Sequence, residues 1–250
     1  MLDIVAHGEI AELRLNRPPA NALNHEILRK LLAGIEQVLG DGARGLILSG
    51  QDGMFSAGID VPQLLGMDRP AIFEFWSLLF DSSKALLTCP VPVVAALAGH
   101  SPAGGTVLAA HCDYRIAVNG PYKIGFNEVQ VGLPLSANIL MLFEDLVGSR
   151  VARQLAMQGK MMTMDEAFAI GLVDELQDAE HLMGRVVQYL EMLLALPPVA
   201  MNRTRLAGKA NLIRSIESST DVENITESWF SEETNQALHA LAESLNKPID

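Results

Sequence analysis

The sequence predicts an α/β fold in which strands and helices alternate along the first half of the chain. Three short apolar runs, each bounded by turn residues, are typical of buried strands and lie at residues 45–50, 91–99 and 112–118. Residues 9–15 alternate between apolar and polar side chains, as a half-buried strand does. Helical patterns separate these strands, and this order indicates ββα or βαβ units. From about residue 135 onward the pattern is mostly helical.

The helices of the first half are predicted from their ends as well as from their periodicity. The first strand is expected to stop at residues 16–19, because the two prolines there remove ladder donors. Asn24 is a favourable N-cap for a helix whose apolar side chains recur at helical spacing, and Gly40 is expected to end it. Asp68 and Pro70 are expected to open an aromatic-rich helix, since proline is tolerated in a first helical turn.

The second half carries two further helical signals. Residues 163–166 fit a capping box, and Gly171 is expected to end the helix that follows. Residues 221–245 are amphipathic, with apolar side chains among many acids. We therefore expect a C-terminal helix that docks on the chain's own body or on a partner subunit.

Composition and charge exclude several classes of protein. The 250 residues are 49% hydrophobic and 19% charged, as in an ordinary globular protein. A net charge of −12 argues against nucleic acid as a partner. No apolar run approaches the roughly 20 residues that span a bilayer, so no membrane association is expected. Two cysteines, Cys89 and Cys112, give no disulfide framework, and no signal peptide is visible. We expect a cytoplasmic protein, or one of the mitochondrial matrix if a leader was removed.

Two motifs that invite a functional interpretation are better explained as connections. Residues 40–45 match G-x-G-x-x-G, but the dinucleotide motif follows a strand and opens a helix, whereas here a helix precedes the glycines and a strand follows. Residues 99–103 nearly match the G-x-S-x-G nucleophile elbow around Ser101. Pro102 has no N–H to donate to an oxyanion, and Ala103 replaces the second glycine. A serine hydrolase is retained as an alternative, because histidines lie downstream.

A third pattern combines separated segments. Residues 55–60 and 102–105 are small-residue turns that follow two predicted strands, where backbone N–H groups can approach a ligand closely. The second turn should also open a helix, which adds free amides and a positive dipole end. Glu128 then places a carboxylate in the otherwise apolar segment 125–132. Taken alone, Glu128 is more simply a solvated loop residue and each turn an ordinary connection.

Together and in this order, the segments resemble the crotonase (enoyl-CoA hydratase/isomerase) family nearly end to end. The matching segments are residues 15–18, 55–60, 98–105, 112–115, 127–132 and 167–174. Within the family, residues 101–105, 112–116 and 124–128 look most like those of the 3,2-trans-enoyl-CoA isomerases. The resemblance implies a crotonase-like spiral of ββα units with a C-terminal helical trimerisation region. We accordingly predict a core with the CoA and acyl site over residues 1–195 and a helical oligomerisation region over residues 196–250.

The resemblance also implies a set of site residues. The N–H groups of Ile59 and Gly104 would form an oxyanion hole for the thioester oxygen, and Glu128 would be the catalytic glutamate. The remaining predicted residues are backbone contacts for CoA and apolar walls for the acyl chain: Ala20, Ala57, Trp76, Val107 and Leu133. The implied ligand is an acyl-CoA, whose CoA is part of the substrate. No metal or other cofactor is expected, and the implied assembly is a homotrimer or a hexamer of two trimers.

One departure from the family's pattern decides between its reactions. Hydratases of the family use two glutamates to activate water, and the first of them falls at Val107 here. Valine can neither orient water nor transfer a proton. The expected reaction therefore needs one base: Glu128 moves a proton from C2 to C4 of a 3-enoyl-CoA and gives the 2-trans isomer.

Two other departures, and the alternatives, stay open at this point. The lysine often found after the first motif is absent from residues 61–63, which leaves the CoA phosphate contacts undetermined. Residues 132–136 lack the Pro-Gly pair of many members, so the pocket beside the base is expected to differ. Hydration or thioester hydrolysis would require a second acid from elsewhere in the chain. A non-catalytic acyl-CoA-binding protein is the alternative from a different class.

Overall fold

The strands form two sheets in the computed structural model, which describes residues 1–217 and 221–245. Segments 218–220 and 246–250 of the predicted C-terminal region lie outside the described residues. The strands are β1 Leu2–His7, β2 Ile10–Leu15, β3 Gly45–Ser49, β4 Gly53–Met54, β5 Val93–Leu97, β6 Gly99–Pro102, β7 Tyr114–Val118, β8 Lys123–Gly125, β9 Met162–Thr163 and β10 Glu175–Gln177.

Helices follow and cover the strands. They are α1 His25–Gly40, α2 Val61–Leu64, α3 Arg69–Leu87, α4 Gly104–Ala110, α5 Ala137–Val147, α6 Ser149–Gln158, α7 Met164–Ile170, α8 Leu182–Leu194, α9 Pro198–Gly208, α10 Ala210–Glu217, α11 Asp221–Trp229 and α12 Glu232–Leu245, with one 3-10 turn at Glu128–Val131. No helix in the described part of the chain is both long and apolar enough to cross a membrane.

The chain passes between the two sheets in a repeated strand–strand–helix order. The larger sheet has the order β1-β2-β3-β5-β7-β10 and is parallel except for the β1–β2 pair. The smaller sheet has the order β4-β6-β8-β9, and its first three strands are parallel. Three times in succession, a strand of the larger sheet is followed by a strand of the smaller sheet and then by a helix. The predicted ββα units are therefore present.

The core lies on both faces of the larger sheet. In β3 every residue is buried, and neighbouring side chains point to opposite faces. Leu46 and Leu48 join the apolar cluster under α1 and α3, whereas Ile47 joins the cluster that Val186 and Leu190 of α8 cover. A strand buried on both faces explains why residues 45–50 form a continuous apolar run rather than an alternating one.

The predicted helix ends are confirmed. The Asn24 side chain accepts a hydrogen bond from the Ile27 N–H at 3.0 Å and begins α1. Asp68 accepts from Ala71 in the same way and begins α3. At α7, Thr163 and Glu166 form both hydrogen bonds of a capping box, and the helix ends at the left-handed glycine that follows it.

The structure differs from the sequence prediction in strand β1, in the strand predicted at residues 91–99 and in the C-terminal helix, and the short strands β4, β8, β9 and β10 were not predicted either. Strand β1 was not predicted, although it pairs along its whole length with β2. The strand predicted at residues 91–99 ends at Leu97, because the chain leaves the larger sheet after β5 and continues as β6 in the smaller sheet. Gly99 permits this crossing: a Cβ built on it would lie 1.8 Å from the carbonyl carbon of Gly53. The single C-terminal helix predicted over residues 221–245 is two helices, α11 and α12.

Candidate active site

The candidate site forms where three loops leave the smaller sheet. In the parallel strands β4, β6 and β8, Gly53 pairs with Gly99, and Ser101 pairs with Ile124. Because the carboxyl ends of parallel strands meet at one edge of a sheet, the segments that follow these strands lie together. The two predicted glycine turns and the predicted glutamate segment are therefore neighbours in space, although they are 20 or more residues apart in sequence.

The two glycine turns are in van der Waals contact. A Cβ built on Gly58 would lie 3.1 Å from the Pro102 carbonyl oxygen and 3.3 Å from the Gly104 nitrogen. A Cβ on Gly104 would lie 3.6 Å from Cγ2 of Ile59. The first turn is held from its other side by Leu23, which donates to the Gly58 carbonyl at 2.7 Å and accepts from Asp60 at 2.9 Å. The predicted oxyanion donors are thus adjacent.

Both predicted donors have free N–H groups. Within the part of the chain that the structure describes, the amides of Ile59 and Gly104 donate to no protein acceptor. Gly104 is the first residue of α4, where backbone amides lack a partner within the helix and the helix dipole is positive. Ala103, just before it, has a φ of 45°. Its N–H donates to the Gly125 carbonyl at 2.9 Å, which ties the start of α4 to β8.

Glu128 stands at the first position of the 3-10 turn. The residue as a whole is partly exposed, but its Oε2 is shielded from solvent and has no hydrogen-bond partner among the described residues. Burial of the carboxyl group raises the pKa of Glu128 from 4.5 to about 7. A carboxyl group with a pKa near neutrality can both take up and release a proton under ordinary conditions, as a general acid–base catalyst must.

A cavity of about 560 Å³ connects these groups. Its lining includes every predicted site residue: Ala20, Ala57, Ile59, Trp76, Gly104, Val107, Glu128 and Leu133. Ala57 donates its N–H to the Ala20 carbonyl at 2.9 Å, so the two predicted CoA contacts are directly joined. The structure brings the eight residues together, and their individual roles stay predictions.

Among the described residues, Asp60 is the one other carboxylate that lines the cavity with Glu128. Asp60 is already engaged, since its Oδ2 accepts from Arg17 at 2.6 Å and its Oδ1 caps α2 by accepting from the Gln63 N–H at 3.1 Å. Val107, which the family resemblance aligns with the first glutamate of the hydratases, is buried. Glu128 is therefore the one uncommitted carboxyl group that the described lining of the cavity offers.

Part of the cavity wall was missed by the sequence analysis. Ile225 of α11 and Leu241 and Leu245 of α12 line the cavity, so the region 196–250 contributes to the site as well as the region 1–195. The amphipathic pattern of residues 221–245 showed that an apolar face must dock, but no local signal gave its docking site. The proposed boundary at residue 195 and the oligomerising role of the C-terminal region stay predictions.

The alternative site around Ser101 is not assembled. Ser101 is fully buried and does not line the cavity, and its Oγ has no hydrogen-bond partner in the described residues. The nearest downstream histidine in sequence, His111, bonds through Nδ1 to the Val107 carbonyl, and burial lowers its pKa to about 4. At residues 40–45 the glycines connect α1 to β3, as expected. Over residues 1–217 and 221–245, no cluster of three or more acidic, histidine or cysteine side chains is arranged to hold a metal ion.

The amino-acid sequence is similar to those of known enoyl-CoA enzymes. The profile of the family described as enoyl-CoA hydratase/isomerase matches residues 6–248. The mitochondrial enoyl-CoA delta isomerase 1 of Mus musculus is 30% identical over 245 residues, which cover 95% of this chain and 84% of the mouse protein. The crotonyl-CoA hydratase of Syntrophomonas wolfei is 30% identical over 218 residues, covering 86% of this chain and 84% of that protein.

A solved structure gives the same result for the fold. The crystal structure of human mitochondrial delta3-delta2-enoyl-CoA isomerase superposes with a TM-score of 0.93 at 26% identity, and the match covers 98% of this chain and 97% of the human one. The predicted crotonase-like α/β architecture is thereby confirmed.

Proposed function

Because the chain belongs to the enoyl-CoA hydratase/isomerase family of enzymes, we propose that it shifts the double bond of a 3-enoyl-CoA to give the 2-trans-enoyl-CoA. One observation carries the choice of isomerisation. Among the described residues that line the cavity, Glu128 is the single uncommitted carboxyl group, and the family resemblance puts Val107 where hydration would need a second acid. The mouse and human relatives are named as isomerases of this kind.

The first chemical requirement is a place for negative charge. Removing a proton from C2 of a thioester makes an enolate, whose charge lies mainly on the thioester oxygen. The free N–H groups of Ile59 and Gly104 are adjacent and fixed by backbone contacts. Preorganised donors of this type contribute about 3–4 kcal/mol each to transition-state stabilisation in other enzymes.

The second requirement is a proton carrier. The Glu128 carboxylate takes a proton from C2, so the C2–H electrons delocalise through C3=C4 into a dienolate. The same carboxyl group then gives the proton to C4, while the C2=C3 bond forms and the thioester carbonyl is restored. The reaction has no net oxidation or reduction and consumes no water, so it calls for neither a metal nor a redox cofactor. A pKa of about 7 suits a group that must act in both directions.

The substrate is held by shape more than by charge. Trp76, Val107 and Leu133, together with the α11 and α12 residues, give the acyl chain an apolar enclosure that excludes water. Ala20 and Ala57 also line the cavity, and we place the CoA moiety against their backbone. We place the chain in a homotrimer or in a pair of trimers.

The proposal is tested by product analysis with cis- and trans-3-enoyl-CoA esters of several chain lengths. We expect the unmodified protein to form 2-trans-enoyl-CoA and Glu128→Gln to form none, while acyl-CoA binding is retained. Glu36→Gln is the matched control, because Glu36 is an exposed glutamate of α1. Retained activity in Glu128→Gln would overturn the assignment of the base, and turnover of no ester by the unmodified protein would favour a binding function.

Hydration is the second candidate, because one 30%-identical relative is named a crotonyl-CoA hydratase. It predicts 3-hydroxyacyl-CoA as the product from 2-enoyl-CoA. A rate of hydration that equals or exceeds the rate of isomerisation would establish this reaction and show that Val107 does not prevent the activation of water.

A further inference from the structure

The turn that carries Glu128 has little support of its own. It is a single 3-10 turn, and it ends at Gly132, which has a φ of 73°. Within it, the Gly132 N–H donates to the Val129 carbonyl at 3.3 Å, and the Leu133 N–H donates to the Glu128 carbonyl at 3.1 Å. Short 3-10 segments have poorer hydrogen-bond geometry than α-helices. The position of the Glu128 carboxyl group therefore depends on what packs against the turn.

Thr234 of α12 provides a support from outside the turn. Its side-chain hydroxyl donates to the Gly132 carbonyl oxygen at 2.7 Å, and the residue is 1% exposed. The backbones also touch, since a Cβ built on Gly132 would lie 2.9 Å from Cα of Thr234. Glycine at residue 132 thus serves two needs, a left-handed conformation and a close approach by α12.

The Thr234 hydroxyl is itself held in place. Ser231 Oγ donates to Thr234 Oγ1 at 2.9 Å and accepts from the Thr234 N–H at 3.2 Å, which caps the first turn of α12. A chain of hydrogen bonds therefore runs from Ser231 through Thr234 to Gly132. Both side-chain hydroxyls in this chain are fixed in orientation by the hydrogen bonds that they make. The break between α11 and α12 at Ser231 is what makes this arrangement possible.

The same helix closes the acyl cavity. Leu238 of α12 is fully buried, and Leu241 and Leu245, further along the helix, line the cavity that contains Glu128. The N-terminal turn of α12 contacts the glutamate turn, and its later turns contact the space for the acyl chain. A displacement of α12 would therefore be transmitted to both.

We propose that Thr234 is a positioning residue, whose hydroxyl fixes the Glu128 turn from the helix that closes the acyl cavity. The inference rests on the proposed function for its catalytic consequence, but the mechanical part does not depend on any reaction. Substrate chains that pack on Leu241 and Leu245 would hold α12, and through Thr234 they would hold the base in place.

The substitution Thr234→Val removes the hydroxyl and keeps the volume of the side chain. We expect kcat for a 3-enoyl-CoA to fall about tenfold with KM changed less than about twofold, because misplacing a reacting group acts on the chemical step. Thr234→Ser keeps the hydroxyl and should recover most of kcat. Thr226→Val is the matched control: Thr226 is also a buried threonine of the C-terminal helices, but its hydroxyl bonds only to the Val222 carbonyl of its own helix.

Hydrogen–deuterium exchange of the free proteins tests the mechanical part separately. In Thr234→Val, amides of residues 128–133 should exchange about tenfold faster than in the unmodified protein, and in Thr226→Val they should not. Unchanged exchange in Thr234→Val would overturn the inference whatever the activity. Faster exchange with unchanged kcat in an active enzyme would overturn it as well. If the unmodified protein isomerises no ester while exchange responds as expected, the proposed function fails and the support by Thr234 stands.

Discussion

Gly58 and Gly104 lie in contact, with 3.3 Å between the Gly104 nitrogen and the position that a Gly58 Cβ would take. This contact sets two loops from different ββα units side by side, and the amides of Ile59 and Gly104 in these loops donate to no acceptor among the described residues. The proposed oxyanion site would therefore be formed by the packing of the backbone, which the lack of a side chain at both glycines permits.

Gly58→Ala should disrupt this site. Gly58 has a φ of 82°, and the added methyl group would meet the Pro102 carbonyl at 3.1 Å, so the two turns must move apart. We expect kcat to fall by about 10²-fold, the scale of losing one oxyanion donor. Steady-state kinetics with a 3-enoyl-CoA measures the effect. Gly66→Ala is the control, because nothing lies within 4 Å of a Cβ at Gly66; equal rates in the two variants would contradict the prediction.

Val107→Glu should change the reaction. It places a second carboxyl group in the cavity with Glu128, as a hydratase requires. We expect isomerisation to fall, because like charges and burial raise both carboxyl pKa values, and 3-hydroxyacyl-CoA to appear from 2-enoyl-CoA. Val107→Gln is the uncharged control and should not gain hydration. A Val107→Glu protein that folds, keeps full isomerisation and gains no hydration would show that residue 107 does not select between the reactions.

The rate of isomerisation should depend on pH through Glu128. The base is active when ionised, and burial raises its pKa to about 7. We expect kcat/KM to fall tenfold per pH unit well below pH 7 and to level off above it. A profile that stays flat down to about pH 5 would place the base at a carboxyl group with an ordinary pKa.

The Glu128 carboxyl group should lower the free energy of unfolding at high pH. Its folded-state pKa of about 7 exceeds the ordinary value of 4.5, so the folded protein binds the proton more tightly than the unfolded chain between these values. The stabilising effect of the bound proton is complete below pH 4.5 and is lost as the pH rises through 7. This difference corresponds to about 3 kcal/mol at most. Denaturant unfolding should show Glu128→Gln more stable than the unmodified protein at pH 8 and nearly equal to it near pH 4.5.

Leu241→Trp should restrict the acyl chain. Leu241 lines the cavity from α12, and a larger side chain there reduces the space for the substrate. We expect kcat/KM for long-chain 3-enoyl-CoA esters to fall about tenfold or more, because the larger side chain fills space that a long acyl chain needs. Short-chain esters do not reach this space and should be little affected. Ala240→Trp, on an exposed position of the same helix, is the control. A uniform decrease across chain lengths would assign the effect to folding.

Local signals predicted much of this molecule. Helix caps at Asn24, Asp68 and Thr163 act within one turn, so their sequence patterns suffice. The eight site residues followed from the family resemblance, which carries tertiary information that one chain's periodicity lacks. The crossing from β5 to β6 was not predicted, because β6 has four residues and is defined by its neighbours rather than by its own pattern. The C-terminal break was missed because residues 230–236 contain neither glycine nor proline to mark it.

Burial of the Glu128 carboxyl group was likewise beyond the sequence. It depends on residues from several distant segments, among them Trp76, Val107 and Leu241, that line one cavity. Read along the chain, a glutamate between turn residues is typical of a solvated loop. The pKa that makes it useful arises only after the loops of three ββα units and the C-terminal helices have packed together.

Isotope transfer in a single turnover tests most directly whether one carboxyl group carries the proton. A 3-enoyl-CoA deuterated at C2 is mixed with excess enzyme, and the 2-trans product is analysed by mass spectrometry and NMR for deuterium at C4. If the shielded Glu128 takes the deuteron and returns it, part of the label appears at C4. A product that forms at the normal rate with no label at C4 would contradict the single-base account.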